Sequence, residues 1–142
     1  MGGRGASFGH YATATERTQS EHQEAVRRLA AKDSNGRDIY EDGTYNVSSL
    51  RTVSYEGGYQ VTFCQIGDNH SKEEYRDLCN EFLRKSSDGV VSAGKFEGEP
   101  EISFNVSSRS EAIRLAKKYN QISIWDWKNL EEIKTGGTGR RG

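Results

Sequence analysis

The chain has 142 residues, 32% hydrophobic and 29% charged, with 20 Lys plus Arg against 21 Asp plus Glu and a mean hydropathy of -0.89. That length holds one domain, and a net charge of -1 supplies no global attraction to nucleic acid or to an anionic membrane. No apolar run approaches the roughly 18 residues of a membrane span and no signal-peptide core follows Met1, so the expectation is a cytoplasmic protein with no membrane partner.

The chain opens on a segment with Gly at positions 2, 3, 5 and 9, too poor in apolar side chains to fold alone. Residues 1–14 are therefore expected as a disordered tail. Thr15 to Lys32 is helix-compatible: Ser20 and Gln23 form a capping-box pattern ahead of a thin stripe of Ala25, Val26, Leu29 and Ala30. Asp33 to Thr44 holds Asn35-Gly36 and Asp42-Gly43 and reads as a turn-rich linker, making 15–44 a helix plus linker. An α+β domain is then expected over 45–134, followed by a flexible Gly/Arg tail over 135–142.

Within the body, Leu50–Tyr55 and Tyr59–Ile66 are β-rich runs joined by Glu56-Gly57-Gly58, which predicts a hairpin. Tyr59, Val61 and Phe63 alternate with Gln60, Thr62 and Cys64, the period of a strand buried on one face. Ser71 with Glu74 forms a second capping box, and Tyr75, Leu78, Cys79, Phe82 and Leu83 make the strongest helical stripe of the chain. Val90–Phe96 and Glu101–Val106 predict a hairpin closed through Glu97-Gly98-Glu99-Pro100. Ser108 and Glu111 then open a helix striped with Ala112, Ile113, Leu115, Ala116 and Tyr119. Gln121–Trp127 follows as a strand with Ser123, Trp125 and Trp127 on one face, and Leu130–Lys134 adds a short edge strand.

The order from Tyr59 is β-α-β-β-α-β, so the expected fold is a ferredoxin-like antiparallel α+β sheet with an extra leading strand and an N-terminal helix. The same elements also read as two ββα units plus a final strand, and periodicity does not separate the two.

The segment Ile102–Asn120 resembles the third strand and second helix of the RNA recognition motif, whose sheet face stacks bases on aromatics. Here, with Ile102, Phe104 and Val106 turned to the helices, the open face shows Glu101, Ser103 and Asn105 on one strand and Gln60, Thr62 and Cys64 on another. Only Trp125 and Trp127 offer an aromatic surface, unless the N-terminal helix covers them. The helix opened by Ser108 carries Arg109, Arg114, Lys117 and Lys118, a face for phosphates or an acidic partner, while Glu97, Glu99 and Glu101 cluster on the hairpin as an acidic counterpart. As bland alternatives, these are a solvated helix surface and a charged edge that resists aggregation.

No catalytic constellation emerges. Cys79 lies inside a helical stripe with no adjacent cation to lower its pKa, and His70 sits in the loop before that helix. His10, His22 and His70 have no ligand spacing, so no metal or cofactor is expected. Cys64 is assigned to the open sheet face and Cys79 to the core, so the two are expected to stay unbonded.

The opening Met1-Gly2-Gly3-Arg4-Gly5-Ala6-Ser7 resembles the start shared by small and minor head-associated proteins of bacteriophages and integrated elements of Gram-positive, often gut, bacteria. Gly58–Phe63, Ala93–Phe104, Tyr119–Trp127 and Thr135–Arg141 are similar to uncharacterised domains of such phages. The resemblance implies a phage or mobile-element origin and brings no catalytic residue with it. The leading expectation is a non-enzymatic binding protein acting in the bacterial host cytoplasm on a host protein or ribonucleoprotein, inhibiting a defence nuclease as an anti-CRISPR does. A virion-associated or head-morphogenesis accessory, and a module that binds RNA or DNA directly, are the alternatives.

Overall fold

The structure, a computed structural model, describes residues 11–64 and 71–139, with side chains from Gln19 onward except those of Phe63 and Cys64. In chain order the elements are α1 (Tyr11–Leu29), β1 (Gly43–Asn46), β2 (Tyr59–Cys64), α2 (Lys72–Lys85), β3 (Ser92–Phe96), β4 (Glu99–Val106), α3 (Arg109–Lys118), β5 (Ser123–Asp126) and β6 (Glu131–Lys134). The strands form one antiparallel sheet in the order β1-β3-β4-β2-β5-β6. The fold is α+β, and β1 and β6 lengthen the sheet at both edges beyond a bare β-α-β-β-α-β unit.

Alternation decides the layers. Val61, Ala93, Ile102, Phe104, Val106 and Ile124 are buried on the face that α1, α2 and α3 cover. Phe82 of α2 sits at the centre of this core, its ring 4.7 Å from that of Phe104 and 4.9 Å from that of Tyr119. From α3 come Ala112, Leu115 and Ala116, all on one stripe.

The capping signals divide in an informative way. At Ser71 and Glu74 both halves of the capping box form. At Ser108 the side chain accepts the Glu111 amide, while the Glu111 carboxylate instead binds Arg114 and Lys85. Ser20 caps nothing, because α1 begins at Tyr11 and runs through it. His22 joins Ala25 and Leu29 on the buried stripe of α1, bonded to the Tyr75 hydroxyl of α2, whereas Ala30 is exposed.

The leading strand is not where the alternation placed it. Residues 50–55 form no strand and no hairpin with β2, so the first of the two ββα units does not exist. The strand is Gly43–Asn46, which pairs with β3 at the far edge of the sheet. The physical reason is local: the Asn46 carboxamide accepts the Ser48 and Ser49 amides, and Leu50 adopts a positive φ of 55°, which reverses the chain onto β1. The buried side chain of Leu50 anchors that reversal.

The hairpin of β3 and β4 is tighter than its sequence indicates. Phe96 pairs with Glu99, leaving Glu97 (φ 51°) and Gly98 (φ 79°) as a two-residue turn of the doubly positive type that matches strand twist. The Asp42 carboxylate accepts both turn amides, at 2.8 and 3.0 Å. Residues 33–42, read from sequence as a linker, are fixed against the sheet by Lys95, whose side chain is 1% exposed and reaches the Tyr40 carbonyl and Asp38.

Thr135–Gly139, part of the tail expected to be flexible, follow the α3–β5 junction. The Thr135 hydroxyl donates to the Gln121 carbonyl at 2.6 Å, and the Gly139 amide donates to the Asn120 carbonyl at 2.8 Å. Gly137 is required there, since a Cβ would lie 2.3 Å from the Gln121 carbonyl oxygen. At the other end, residues 11–14, also expected as tail, form the first turn of α1, and residues 1–10 and 140–142 lie outside the described residues.

Candidate functional site

Because the helices occupy one face of the sheet, the opposite face is left without a covering element among the described residues. Its centre is built from small residues, Thr62, Gly94 and Ser103 on the inner strands, while its margins carry large ones, Phe96, Trp125 and Trp127. This size gradient makes a bowl of about 660 Å³, within the range of ligand-binding clefts.

The floor is polar and internally satisfied. Gln60 donates to the Ser103 hydroxyl at 2.9 Å and accepts from the indole N–H of Trp127 at 2.9 Å. Trp127 is thereby pinned, with the Tyr55 ring tilted against it at 5.7 Å and Trp125 edge-on at 6.4 Å. Trp125 itself is 37% exposed and offers a ring surface to the bowl.

Asp42, Glu97, Glu99, Glu101 and Glu132 also line the bowl. Glu101 is half-buried; burial pushes its pKa up to about 7, the Thr62 hydroxyl opposes the rise, and the Glu99 charge adds to it. Glu132 behaves oppositely, held below the ordinary carboxylate range chiefly by the Ser123 hydroxyl at 2.6 Å. Among the described residues the one cation in the lining is Lys95, and its ammonium is turned through the sheet to Asp38.

The fold thus brings Glu97, Glu99 and Glu101 together with Trp125 and Trp127 around one concavity. It sets α3 with Arg109, Arg114, Lys117 and Lys118 on the other side of the sheet. There Arg114 makes a bidentate pair with Glu111 at 2.6 and 3.1 Å, and Lys118 meets Glu81 at 3.1 Å. Trp125 is not beneath the N-terminal helix, since α1 packs on β3, β4 and α2 across the sheet.

Cys79 is buried and free in the helix layer, and burial pushes its thiol up to about 11, far from a reactive thiolate. His70, His10 and the side chain of Cys64 lie outside the described residues.

Sequence reasoning missed Asp42, Phe96, Glu132, Thr138 and Gly139 as parts of this surface. Strand parity carried the signal for Phe96 and Glu132, which share the face of Ser103 and Trp125 through cross-strand pairing. Nothing local marks Asp42, Thr138 or Gly139, which reach the bowl from loops. No family model, curated protein or solved structure matches the chain, so the functional reading rests on these residues.

Proposed function

We propose that this chain is a non-enzymatic binding protein of phage or mobile-element origin that docks its acidic sheet face on a basic surface of a host defence nuclease and inhibits it in the host cytoplasm. The observation that carries this reading is the charge of the bowl: five acidic side chains converge on it, and the one cationic residue among the described lining residues points away. A nuclease holds nucleic acid in a basic groove, and a carboxylate array on a rigid sheet presents to that groove the charge of a phosphate backbone. The same charge disfavours a nucleic-acid module of the RNA recognition type, because phosphates approaching Trp125 meet Glu132 and Glu101. Supporting a ferredoxin-like core, β3-β4-β2-β5 are contiguous in the sheet, with α2 and α3 as their crossovers and β1 and β6 as additions.

The test is restriction of phage by an RNA-guided nuclease in a host expressing the chain. Plaquing should rise with the wild-type protein and fall back with a Glu97→Lys, Glu99→Lys double variant that still folds. Undiminished restriction, with no inhibition of the purified nuclease, refutes the proposal.

A further inference from the structure

The positions of the acidic and aromatic groups within the bowl are more specific than its total charge. Trp125 pairs with Gln60, and Gln60 pairs with Asn105, so these residues form one row across β5, β2 and β4. Glu101 lies four residues along β4 from that row and two strands from Trp125. With strands about 4.8 Å apart and about 3.3 Å per residue, the two positions are about 16 Å apart. Each end has its own carboxylates: Glu132 pairs directly with Trp125, and Glu99 sits beside Glu101.

We propose that the bowl takes one extended segment of a partner protein bearing two arginines about four residues apart, an even spacing that puts both on one face, with one guanidinium meeting Glu101 and Glu99 and the other lying on Trp125 beside Glu132. This inference rests on the acidic sheet face being the docking face. Four residues of extended chain cover about 13 Å, and the long arginine stems reach over the remainder. Arginine fits both ends better than lysine, since its plane stacks on indole and its fork takes a carboxylate through two parallel bonds. The Trp125 ring is held by its edge contact with the pinned Trp127, so little side-chain freedom is lost on binding. Between the ends the small floor residues Thr62 and Ser103 leave room for backbone. The basic helix of a second copy is a poorer occupant, because Arg114 and Lys118 are already paired with Glu111 and Glu81.

The experiment measures binding of synthetic peptides to the full chain by calorimetry and by Trp fluorescence. The probes are Arg-Ser-Ser-Ser-Arg, its Lys counterpart, the same composition with the two arginines adjacent, and a serine-only control. The spaced arginine peptide is expected to bind at least tenfold more tightly than either the adjacent or the lysine form. Glu101→Gln and Trp125→Leu should each weaken it about tenfold, with circular dichroism confirming that both variants fold. Equal affinity for all peptides of the same charge overturns the proposal, as does unchanged binding in both variants. A single-stranded oligonucleotide that binds in place of the peptide overturns it, and so does self-association that Glu101→Gln abolishes. Tenfold tighter peptide binding by an Arg140→Ser, Arg141→Ser variant would assign the bowl to the chain's own basic residues and overturn it too. Nuclease inhibition without any spacing preference sinks this inference alone; spaced-peptide binding without nuclease inhibition sinks only the choice of nuclease as the partner.

Discussion

Replacing Glu101 with glutamine should stabilise the protein above neutral pH and leave it almost unchanged in acid. The side chain is half-buried on the sheet floor with Thr62 as a hydrogen-bond partner, and its pKa is about 7 in place of 4.5. An unfolded chain releases this proton near the ordinary value, so between the two pKa values it binds fewer protons than the native state, and stability falls as pH rises. The contribution is intact below 4.5 and fully lost once pH has passed about 7. The 2.5-unit difference between those values corresponds to about 3 kcal/mol, or about 10 °C in Tm for a chain of this size. Glutamine keeps the shape and the bond to Thr62 but carries no charge to desolvate. Urea unfolding of both proteins from pH 4 to pH 8 gives the assay, read as the stability difference between them. That difference should be near constant at the acid end and grow by about 3 kcal/mol by pH 8. A difference that does not change with pH would show that Glu101 is well solvated, and the enclosed character of the bowl floor would fall with it.

His22 should act in the opposite sense. Burial lowers its pKa from 6.5 to about 4, so the unfolded state gains the proton first and stability is lost as pH falls between those values, by about 3 kcal/mol in all. A His22→Gln variant should lose this acid sensitivity; if its unfolding follows the wild-type pH profile, the ring is not buried. The His22 and Glu101 effects oppose each other between pH 4.5 and 6.5, so the wild-type profile there should be flatter than that of either variant. Gly137→Ala should destabilise by more than about 1 kcal/mol, because the added carbon meets the backbone at Gln121 and Asn120, and thermal melting would expose an error. Asp42→Ala should cost about 1 kcal/mol and raise hydrogen exchange at the Glu97 and Gly98 amides, which it accepts; unchanged exchange there would refute the cap.

The open face of the sheet was partly legible in the one-dimensional pattern. Once Ile102, Phe104 and Val106 are assigned to the core, parity alone places Glu101 and Ser103 on the other face, with Gln60, Thr62 and Trp125 on theirs. The acidic hairpin and the tryptophans stood out separately as candidate contacts. That they share one concavity, and that the cationic helix is excluded from it, follows from strand order, which periodicity leaves open between two readings.

The sequence by itself determined the local elements: the stripe of α2 with its complete cap, the alternation of β4, and the helix opened by Ser108. These depend on contacts between residues a few positions apart, where side-chain spacing and capping chemistry act directly. Tertiary structure decided the rest. It placed β1 beside β3 and gave Asp42 its turn to cap, and it bonded Thr135–Gly139 to the α3–β5 junction. It also made Glu101 a poorly solvated carboxyl. Each of these is set by which distant segments meet and how much water they exclude, and no short window of sequence contains that information.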